Sequence, residues 1–285
     1  MEMFDQKVIE FNGRPLFQTA KVRAPSINLG QLEDVACFFY VVKGAIKTID
    51  QNGAVETKRS DALLKSCGNF ISSYMNDEDG SPFEAAVIYF YPDFLKEIYK
   101  NELPPFAMEN AKAMPPQRYV ANDLIHKFME GMFIYFENEA LMDEELAKLK
   151  IKELVMILLR SQYFEGVISF FQGLFAPKNA SFREIVENNL YNHLSIEQLA
   201  FLCHQSLSTF KRTFKSEFGE SPARYIKERR LQKAAQKILA SNDAFSTIAY
   251  DCGFQDPSTF SALFSQRFGK SPRQYRLDHF GKSSG

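Results

Sequence analysis

The chain has 285 residues, of which 45% are hydrophobic, and its formal net charge is −1. This length predicts two domains. Four scattered cysteines without a CxxC pair favour a reducing compartment over a disulfide scaffold. No apolar run reaches the roughly 18 residues of a membrane span, and the N-terminal residues lack a signal-peptide pattern, so we expect a soluble cytoplasmic protein.

The two parts of the chain differ in charge. Residues 181–285 contain 15 Lys+Arg and 10 Asp+Glu, whereas residues 1–180 contain 19 and 25. A weakly basic domain joined to an acidic one fits a DNA-binding domain with a sensor attached. An asymmetry of this size also arises by chance, so it carries little weight alone.

Short strands separated by turns are predicted for about residues 1–100. The run 36–42 is continuously apolar, and 46–49 and 55–58 flank a tight turn at Asn52-Gly53. Further strand candidates follow at 63–64, 70–75 and 83–91. Short strands with regular punctuation predict a small β-barrel or a sandwich.

Aromatic side chains on these strands have two interpretations. They either fill the core or line an apolar effector pocket, for which the candidates are Phe38, Tyr40, Phe70, Tyr74 and Tyr89. The first histidine of the chain is His126. A metal-binding barrel enzyme needs clustered histidines, so we expect no metal and no cofactor here.

Helices are predicted for residues 121–172. Leu124, Phe128, Met132 and Tyr135 share one stripe, and a second stripe follows at Leu146, Leu149, Glu153 and Met156. These helices either pack on the strands or form a dimer interface. The segment 173–180, GLFAPKNA, is predicted to be a linker, which places the domains at 1–172 and 181–280.

An internal repeat dominates the last hundred residues. SLSTFKRTFKSEFGESPARY (206–225) matches DPSTFSALFSQRFGKSPRQY (256–275) at an offset of 50. Phe210, Phe214 and Phe218 recur every four residues, which predicts an amphipathic helix that ends at Gly219. The same pattern in the second copy predicts the same helix.

Each copy has the features of a helix-turn-helix. The sequence Ser195-Ile-Glu-Gln198 forms a capping box for a short helix, and a tight turn at His204-Gln205 separates it from the next helix. The second copy turns at Gly253-Phe254 and restarts at Asp256-Pro257. A long helix from Pro222 to about residue 240 is predicted to join the two units.

The face opposite the phenylalanines suggests what each unit does. In the first copy this face carries Ser208, Arg212, Lys215 and Ser216, with Lys211 on its shoulder. Arg and Lys suit contacts with bases and phosphates, although each residue alone could be an ordinary solvated side chain. The second copy has mostly small side chains on this face: Ser258, Ala262, Ser265 and Gln266, with Ser261 on the shoulder.

The stretch of about residues 181–280 resembles the DNA-binding domain of the AraC/XylS transcription regulators. The motif residues present are Ala249, Gly253-Phe254, Asp256, Ser258, Phe260, Phe264, Phe268-Gly269, Ser271-Pro272 and Tyr275-Arg276. The resemblance implies that both units enter successive major grooves of double-stranded DNA. It implies base contacts from Ser208, Lys211, Arg212, Ser258, Ser261 and Ala262. We expect phosphate contacts from Lys215, Ser216, Thr259, Ser265 and Gln266.

The resemblance also carries expectations for the rest of the chain. It implies an α+β protein with a cupin-like regulatory barrel in front, dimerisation through helices 121–172, and activation through RNA polymerase. The layout is also similar to that of a type III secretion regulator that a protein partner controls, so the effector could be a small molecule or a protein. Ala262 departs from the family pattern, since alanine can only touch a thymine methyl. We therefore expect the first unit to carry most base reading.

Two other classes of function are weaker. An alkyl-transfer enzyme with an accessory DNA domain would need an activated cysteine, and neither Cys37 nor Cys67 lies in a recognisable motif. A structural nucleoid protein would bind DNA without sequence preference, and the modest net charge argues against it. We expect that the chain is not an enzyme.

Overall fold

The computed structural model describes residues 3–99, 118–120, 122–175 and 181–280. The chain divides into two compact units, Met1–Ala180 and Ser181–Gly285. The first unit contains all the described strands, and the second is helical.

The first unit is built on two antiparallel sheets. One has the strand order β1-β2-β9-β4-β7-β10 and the other β3-β8-β5-β6. No ladder among the described strands joins the two sheets, so this region is a pair of sheets rather than the closed barrel that the family resemblance implied. The strands are β1 (Met3–Phe11), β2 (Arg14–Val22), β3 (Ser26–Leu32), β4 (Ala36–Lys43), β5 (Ala45–Asp50), β6 (Gly53–Lys58), β7 (Asp61–Lys65), β8 (Gly68–Met75), β9 (Phe83–Phe90) and β10 (Arg118–Val120).

Strand β4 is buried on both faces, which explains its continuous apolar run. Phe39 on one face packs into the core between the two sheets. Phe38 and Tyr40 on the other face pack into a second core, which the helices of this unit share. The alternation of a strand thus assigns neighbouring residues of β4 to different cores.

The predicted hairpin is present, with its turn one residue earlier than expected. Asp50 pairs with Gly53, so Gln51 and Asn52 form the loop. The carboxylate of Asp50 accepts a hydrogen bond from the backbone N–H of Asn52 at 2.7 Å and closes this turn. Strands β1, β2 and β3 were not among the predicted strands.

The described residues of the first unit also form four α-helices and a short 3-10 helix at Glu139–Leu141. The α-helices are α1 (Pro92–Ile98), α2 (Asp123–Glu137), α3 (Glu144–Leu159) and α4 (Phe164–Phe175). The side chains of Asn122 and Asp143 cap α2 and α3. The predicted linker 173–180 overlaps the end of α4 at 173–175, because the apolar face of this helix continues to Leu174 in the core. Residues 176–180 lie outside the described residues.

The predicted stripes of α2 and α3 are wrong in part. The core positions of α2 include Ile125, whereas Leu124 is 58% exposed. In α3, Ile151 and Leu158 are buried, whereas the predicted stripe residues Leu149 and Met156 are 62% and 44% exposed. Each of these helices therefore has apolar residues on more than one face, and some of them face away from the core.

The second unit consists of seven described helices: α5 (Phe182–Asn189), α6 (Ile196–Leu202), α7 (Leu207–Phe218), α8 (Pro222–Ala240), α9 (Phe245–Asp251), α10 (Pro257–Phe268) and α11 (Pro272–Phe280). They enclose two small cores. Ile226 near the start of α8 packs with Phe210 and Phe214 in the first core. Leu231 and Ile238 further along α8 pack with the residues of α9 and α10 in the second. Helix α8 therefore belongs to both.

The sequence repeat is also a repeat in packing. The ring centroids of Phe214 and Phe218 lie 4.4 Å apart, and those of Phe264 and Phe268 lie 4.5 Å apart. Tyr225 then meets Phe214 edge-on at 5.6 Å, as Tyr275 meets Phe264 at 5.3 Å. The predicted repeated helical unit is confirmed.

Gly253 occupies the tightest of the turns in the second unit. Its φ is +88°, and a Cβ atom there would lie 2.7 Å from Arg230 Nε and 2.9 Å from the Tyr191 carbonyl oxygen. Gly219 also has a positive φ, +78°, but no atom lies within 4 Å of its Cβ position. A side chain at Gly219 would therefore meet only backbone strain, whereas a side chain at Gly253 would meet both backbone strain and a steric clash.

We expect Gly253→Ala to destabilise the protein more than Gly219→Ala. The Gly219 variant should lose about 1–2 kcal/mol, because only left-handed backbone strain opposes it. The Gly253 variant should lose at least about 1 kcal/mol more, because its methyl group also displaces Arg230. Urea unfolding of the two variants measures this difference. Equal losses would contradict the steric role of Gly253.

Candidate nucleic-acid interface and effector cavity

The first helix-turn-helix comprises α6 and α7. The predicted capping box is confirmed, because the Ser195 side chain accepts from the Gln198 N–H and the Gln198 side chain accepts from the Ser195 N–H. His204 adopts a positive φ of 55° in the turn. Ser206 then caps α7 by accepting the N–H of Thr209 at 3.3 Å. These local contacts fix where α7 begins.

The second helix-turn-helix comprises α9 and α10. Asp256 caps α10 and accepts the N–H groups of Ser258 and Thr259 at 3.3 Å and 2.7 Å, while Pro257 occupies the first turn. Hydrogen bonds from the Ser258 and Thr259 side chains, together with these backbone bonds, hold the pKa of Asp256 well below its usual range. An aspartate thus stands where the first unit has the neutral Ser206.

Helix α7 presents a continuous cationic face to solvent. Lys211, Arg212 and Lys215 are exposed, opposite the buried Phe210 and Phe214. Within the described part of the chain, no ion pair engages these three cations. The exposed Ser208 and Ser216 lie on the same helix. All five predicted first-unit residues therefore point away from the core. The three cations have no ion-pair partner among the described residues, whereas the Ser208 hydroxyl lies 3.1 Å from that of Ser206.

The outer face of α10 is different in character. Ser258, Thr259, Ala262 and Gln266 are exposed, whereas Ser261 and Ser265 are half-buried. The hydroxyls of the latter two donate to the carbonyl oxygens of Pro257 and Ser261, at 2.9 Å and 2.8 Å. The hydroxyls of Ser258 and Thr259 hydrogen-bond the Asp256 carboxylate. The structure thus brings the predicted second-unit residues onto one helix, but it engages four of their hydroxyls internally.

The cation on α10 is also engaged. Arg267 Nε lies 2.9 Å and 2.8 Å from the two carboxylate oxygens of Glu228 on α8. This bidentate pair braces α10 against α8 and leaves Arg267 less available to an anion. The electrostatic contrast between the two units is therefore larger in the structure than in the sequence.

Arg230 connects the two helix-turn-helix units of the DNA-binding domain. The sequence did not identify it. Its guanidinium donates to the carbonyl oxygens of Leu190 at 2.8 Å, Asn192 at 2.6 Å and Gly253 at 2.7 Å. Burial lowers its pKa, but an arginine keeps its charge under such conditions. The first two carbonyls follow α5 and the third lies in the turn after α9, so Arg230 holds both units to α8. The surrounding segment 227–233, KERRLQK, is mostly charged or polar, so no local signal in the sequence marked Arg230 as a buried bridge.

A cavity of about 130 Å³ lies between the two sheets of the first unit. Phe70, Tyr74 and Tyr89 of the predicted pocket line it. Phe38 and Tyr40 do not, because they point to the opposite face of β4 and pack with the helices. The Tyr40 hydroxyl lies 2.9 Å from His126 Nδ1 on that side. Of the five residues predicted for an effector pocket, this cavity therefore brings together Phe70, Tyr74 and Tyr89.

The cysteines lack the setting of a nucleophile. Burial raises the pKa of the Cys37 thiol to about 11, and burial also raises that of Cys67. In the part of the chain that the structure covers, no group of three or more His, Cys, Asp or Glu residues is arranged to hold a metal ion. None of the described helices is both long and apolar enough to cross a bilayer.

Two helix-turn-helix units that share one helix, the first of which exposes a cationic second helix, define a class of DNA-binding domain. A family model described as a helix-turn-helix domain matches residues 199–278, and one described as the ExsA N-terminal regulatory domain matches residues 36–170. The chain is similar to MarA of Escherichia coli, with 32% identity over 92 residues, which are 32% of this chain and 72% of MarA. This chain therefore belongs to the AraC family of transcription regulators.

Two further comparisons concern another relative and a solved structure. The chain is 31% identical to ExsA of Pseudomonas aeruginosa over 113 residues, which are 40% of this chain and 41% of ExsA. The structure of ToxT from Vibrio cholerae O395 aligns with a TM-score of 0.40 and 15% identity, covering 92% of this chain and 98% of ToxT. The matches with YobQ, ExsA and RhaS span only 38%, 41% and 27% of those proteins.

We expect Arg230→Lys to destabilise the protein by about 2–4 kcal/mol, because a lysine cannot meet three carbonyl groups and would leave buried acceptors unpaired. Urea unfolding gives this value. Arg224→Ala is the matched control, because Arg224 is 79% exposed and forms only a surface pair with Glu220. It should change stability by less than about 0.5 kcal/mol. A loss for Arg230→Lys no larger than for the control would refute the bridging role.

Proposed function

We propose that this protein is a sequence-specific DNA-binding transcription regulator, of the activator type, that acts in the cytoplasm together with RNA polymerase. The observation that carries the proposal is the exposed cationic face of α7, with Lys211, Arg212 and Lys215 in the second helix of a helix-turn-helix. Cations at this place lie where base edges and phosphates meet a recognition helix. Family membership supports the same conclusion.

The two helix-turn-helix units are proposed to contribute unequally to DNA recognition. Ser208, Lys211 and Arg212 would contact bases, and Lys215 and Ser216 would contact phosphates. In the second unit the proposed base contacts are Ser258, Ser261 and Ala262, and the proposed phosphate contacts are Thr259, Ser265 and Gln266. All four serine and threonine hydroxyls of the second set are bonded within the protein, and Asp256 places a negative charge beside Ser258 and Thr259. The second unit would therefore position the protein more than it reads sequence.

We propose that a small molecule or a protein controls DNA binding by acting on the N-terminal unit, Met1–Ala180. The match to a regulatory-domain model over residues 36–170 supports a regulatory role, and the cavity offers a site for a small molecule. We also propose a cupin-like fold for this N-terminal unit, as the family resemblance implies. Its support is that two antiparallel sheets face each other across a shared core.

Homodimerisation through residues 121–172 is proposed on the basis of exposed apolar side chains. Ile134 on α2 and Leu149 and Met156 on α3 are 61%, 62% and 44% exposed. Large apolar residues on the surface of adjacent helices favour association with a second copy. Leu149 and Met156 are seven residues apart and so lie on one face of α3.

Arg212→Ala should weaken binding at a specific site by about 1–3 kcal/mol and relax one base position, because a bidentate base contact is lost. Lys215→Ala should weaken binding to all sequences alike and lower the slope of log affinity against log salt by about one. The site is first selected from a random DNA pool with the full chain, and affinities are then measured by fluorescence anisotropy on that site and on random duplex.

Gln236→Ala, an exposed change on α8, is the control and should leave both affinities unchanged. If Arg212→Ala lost equal affinity on specific and random DNA, its base-reading role would be wrong. A hydroxyl-radical footprint should protect two segments about 10 bp apart. Selection that enriches no sequence would overturn the proposed function itself.

The double variant Leu149→Lys and Met156→Lys should convert a dimer into a monomer without loss of stability, because both side chains are exposed in the single chain. Light scattering after size-exclusion chromatography measures the mass. Leu277→Lys, at a residue that is 56% exposed in the second unit, should leave the mass unchanged. A wild-type monomer, or a dimer that survives the double change, would exclude this interface.

A further inference from the structure

The cavity between the two sheets contains a buried lysine. Lys65, at the end of β7, is 6% exposed and lines the cavity. Its Nζ atom lies 4.6 Å from the centroid of the Phe39 ring and 4.4 Å from that of Phe70. The Ser72 hydroxyl, at 3.4 Å, is its one hydrogen-bond partner within the described residues. An ammonium has three N–H donors, so this environment is incomplete for a charged group.

No carboxylate of the described residues completes it. Asp50 interacts with Lys65 electrostatically, but the two residues form no ion pair within 4.0 Å, and one oxygen of the Asp50 carboxylate accepts the backbone N–H of Asn52 in the β5–β6 turn. Burial lowers the pKa of Lys65 to about 8, because it disfavours the charged ammonium. A buried cation of this kind is stabilised when an anion enters beside it.

The rest of the lining restricts what that anion can be. Phe39, Phe70 and Phe83 and the ring of Tyr74 form mostly apolar walls. Across the cavity the Tyr89 hydroxyl is engaged with Gln18 at 2.6 Å. A volume of about 130 Å³ is close to the roughly 150 Å³ that holds one benzene molecule. A single cation and few other donors suit a monoanion rather than a phosphate.

We propose that this cavity binds a small carboxylate of about six non-hydrogen atoms in all, with a compact apolar body. The carboxylate pairs with Lys65, and the body lies between the aromatic rings. This assignment rests on the proposed function only in that it gives the effector site of the first unit a ligand class. The cation–π contacts hold the ammonium in place before the ligand arrives, so little is lost to ordering on binding.

The test compares isobutyrate with isobutyramide, its neutral isostere, by isothermal titration calorimetry on the full chain without DNA. The carboxylate should bind at least about tenfold more tightly, because it alone forms an ion pair in a desolvated site. Lys65→Met should abolish this preference, since methionine has a similar length and no charge. Lys58→Met, at a lysine whose side chain is 63% exposed, should keep it.

Three results would overturn the proposal: equal affinity of the wild type for both probes, a preference that persists in Lys65→Met, or no binding of either probe. Lys65→Met is expected to fold, because replacing a buried charge with an apolar side chain is often neutral or stabilising. Ala85→Leu, which fills the cavity and keeps Lys65, should reduce the affinity for both probes and provides a second variant. Since no DNA is present, failure of the DNA selection would refute the proposed function and leave this assignment standing.

Discussion

The geometry of the DNA-binding unit depends on one guanidinium. Arg230 on α8 donates to three backbone carbonyl groups, two after α5 and one in the turn after α9. A planar fork of donors can satisfy several acceptors from separate segments at once, which no other side chain does without distortion. Gly253 leaves the space that this arrangement needs. The relative positions of α7 and α10, and hence of the two surfaces that face DNA, follow from this joint.

The first unit is organised by the two faces of one strand. Phe39 on β4 belongs to the core between the sheets, and Phe38 beside it belongs to the core under the helices. The cavity and the helices with exposed apolar residues therefore lie on opposite sides of the same sheet. A ligand that moves β4 would act on both cores, because a packed strand transmits strain in either direction. The proposed ligand sensing and the proposed dimer association would therefore share β4.

The sequence predicted the second unit well because its signals are local. Caps such as Ser195 and the phenylalanine period of α7 depend on residues within four positions of each other. Predictions that required long-range contacts fared less well. The outward orientation of Leu149 and the assignment of Phe38 to the helical side depend on partners distant in sequence. Lys65 and Arg230 escaped notice because a charged residue gives no sign in the sequence that it is buried.

The sharing of α8 has a consequence for the history of the domain. Two copies of a unit that were merely linked could be separated, multiplied or exchanged one at a time. Here Ile226 packs in the first core and Leu231 packs in the second, and both lie on one continuous helix. Removing either copy would therefore expose apolar residues of α8 that the two cores share. The two copies are bound to fold together, whereas the side chains on their outer faces can differ without disturbing either core, as those of α7 and α10 do.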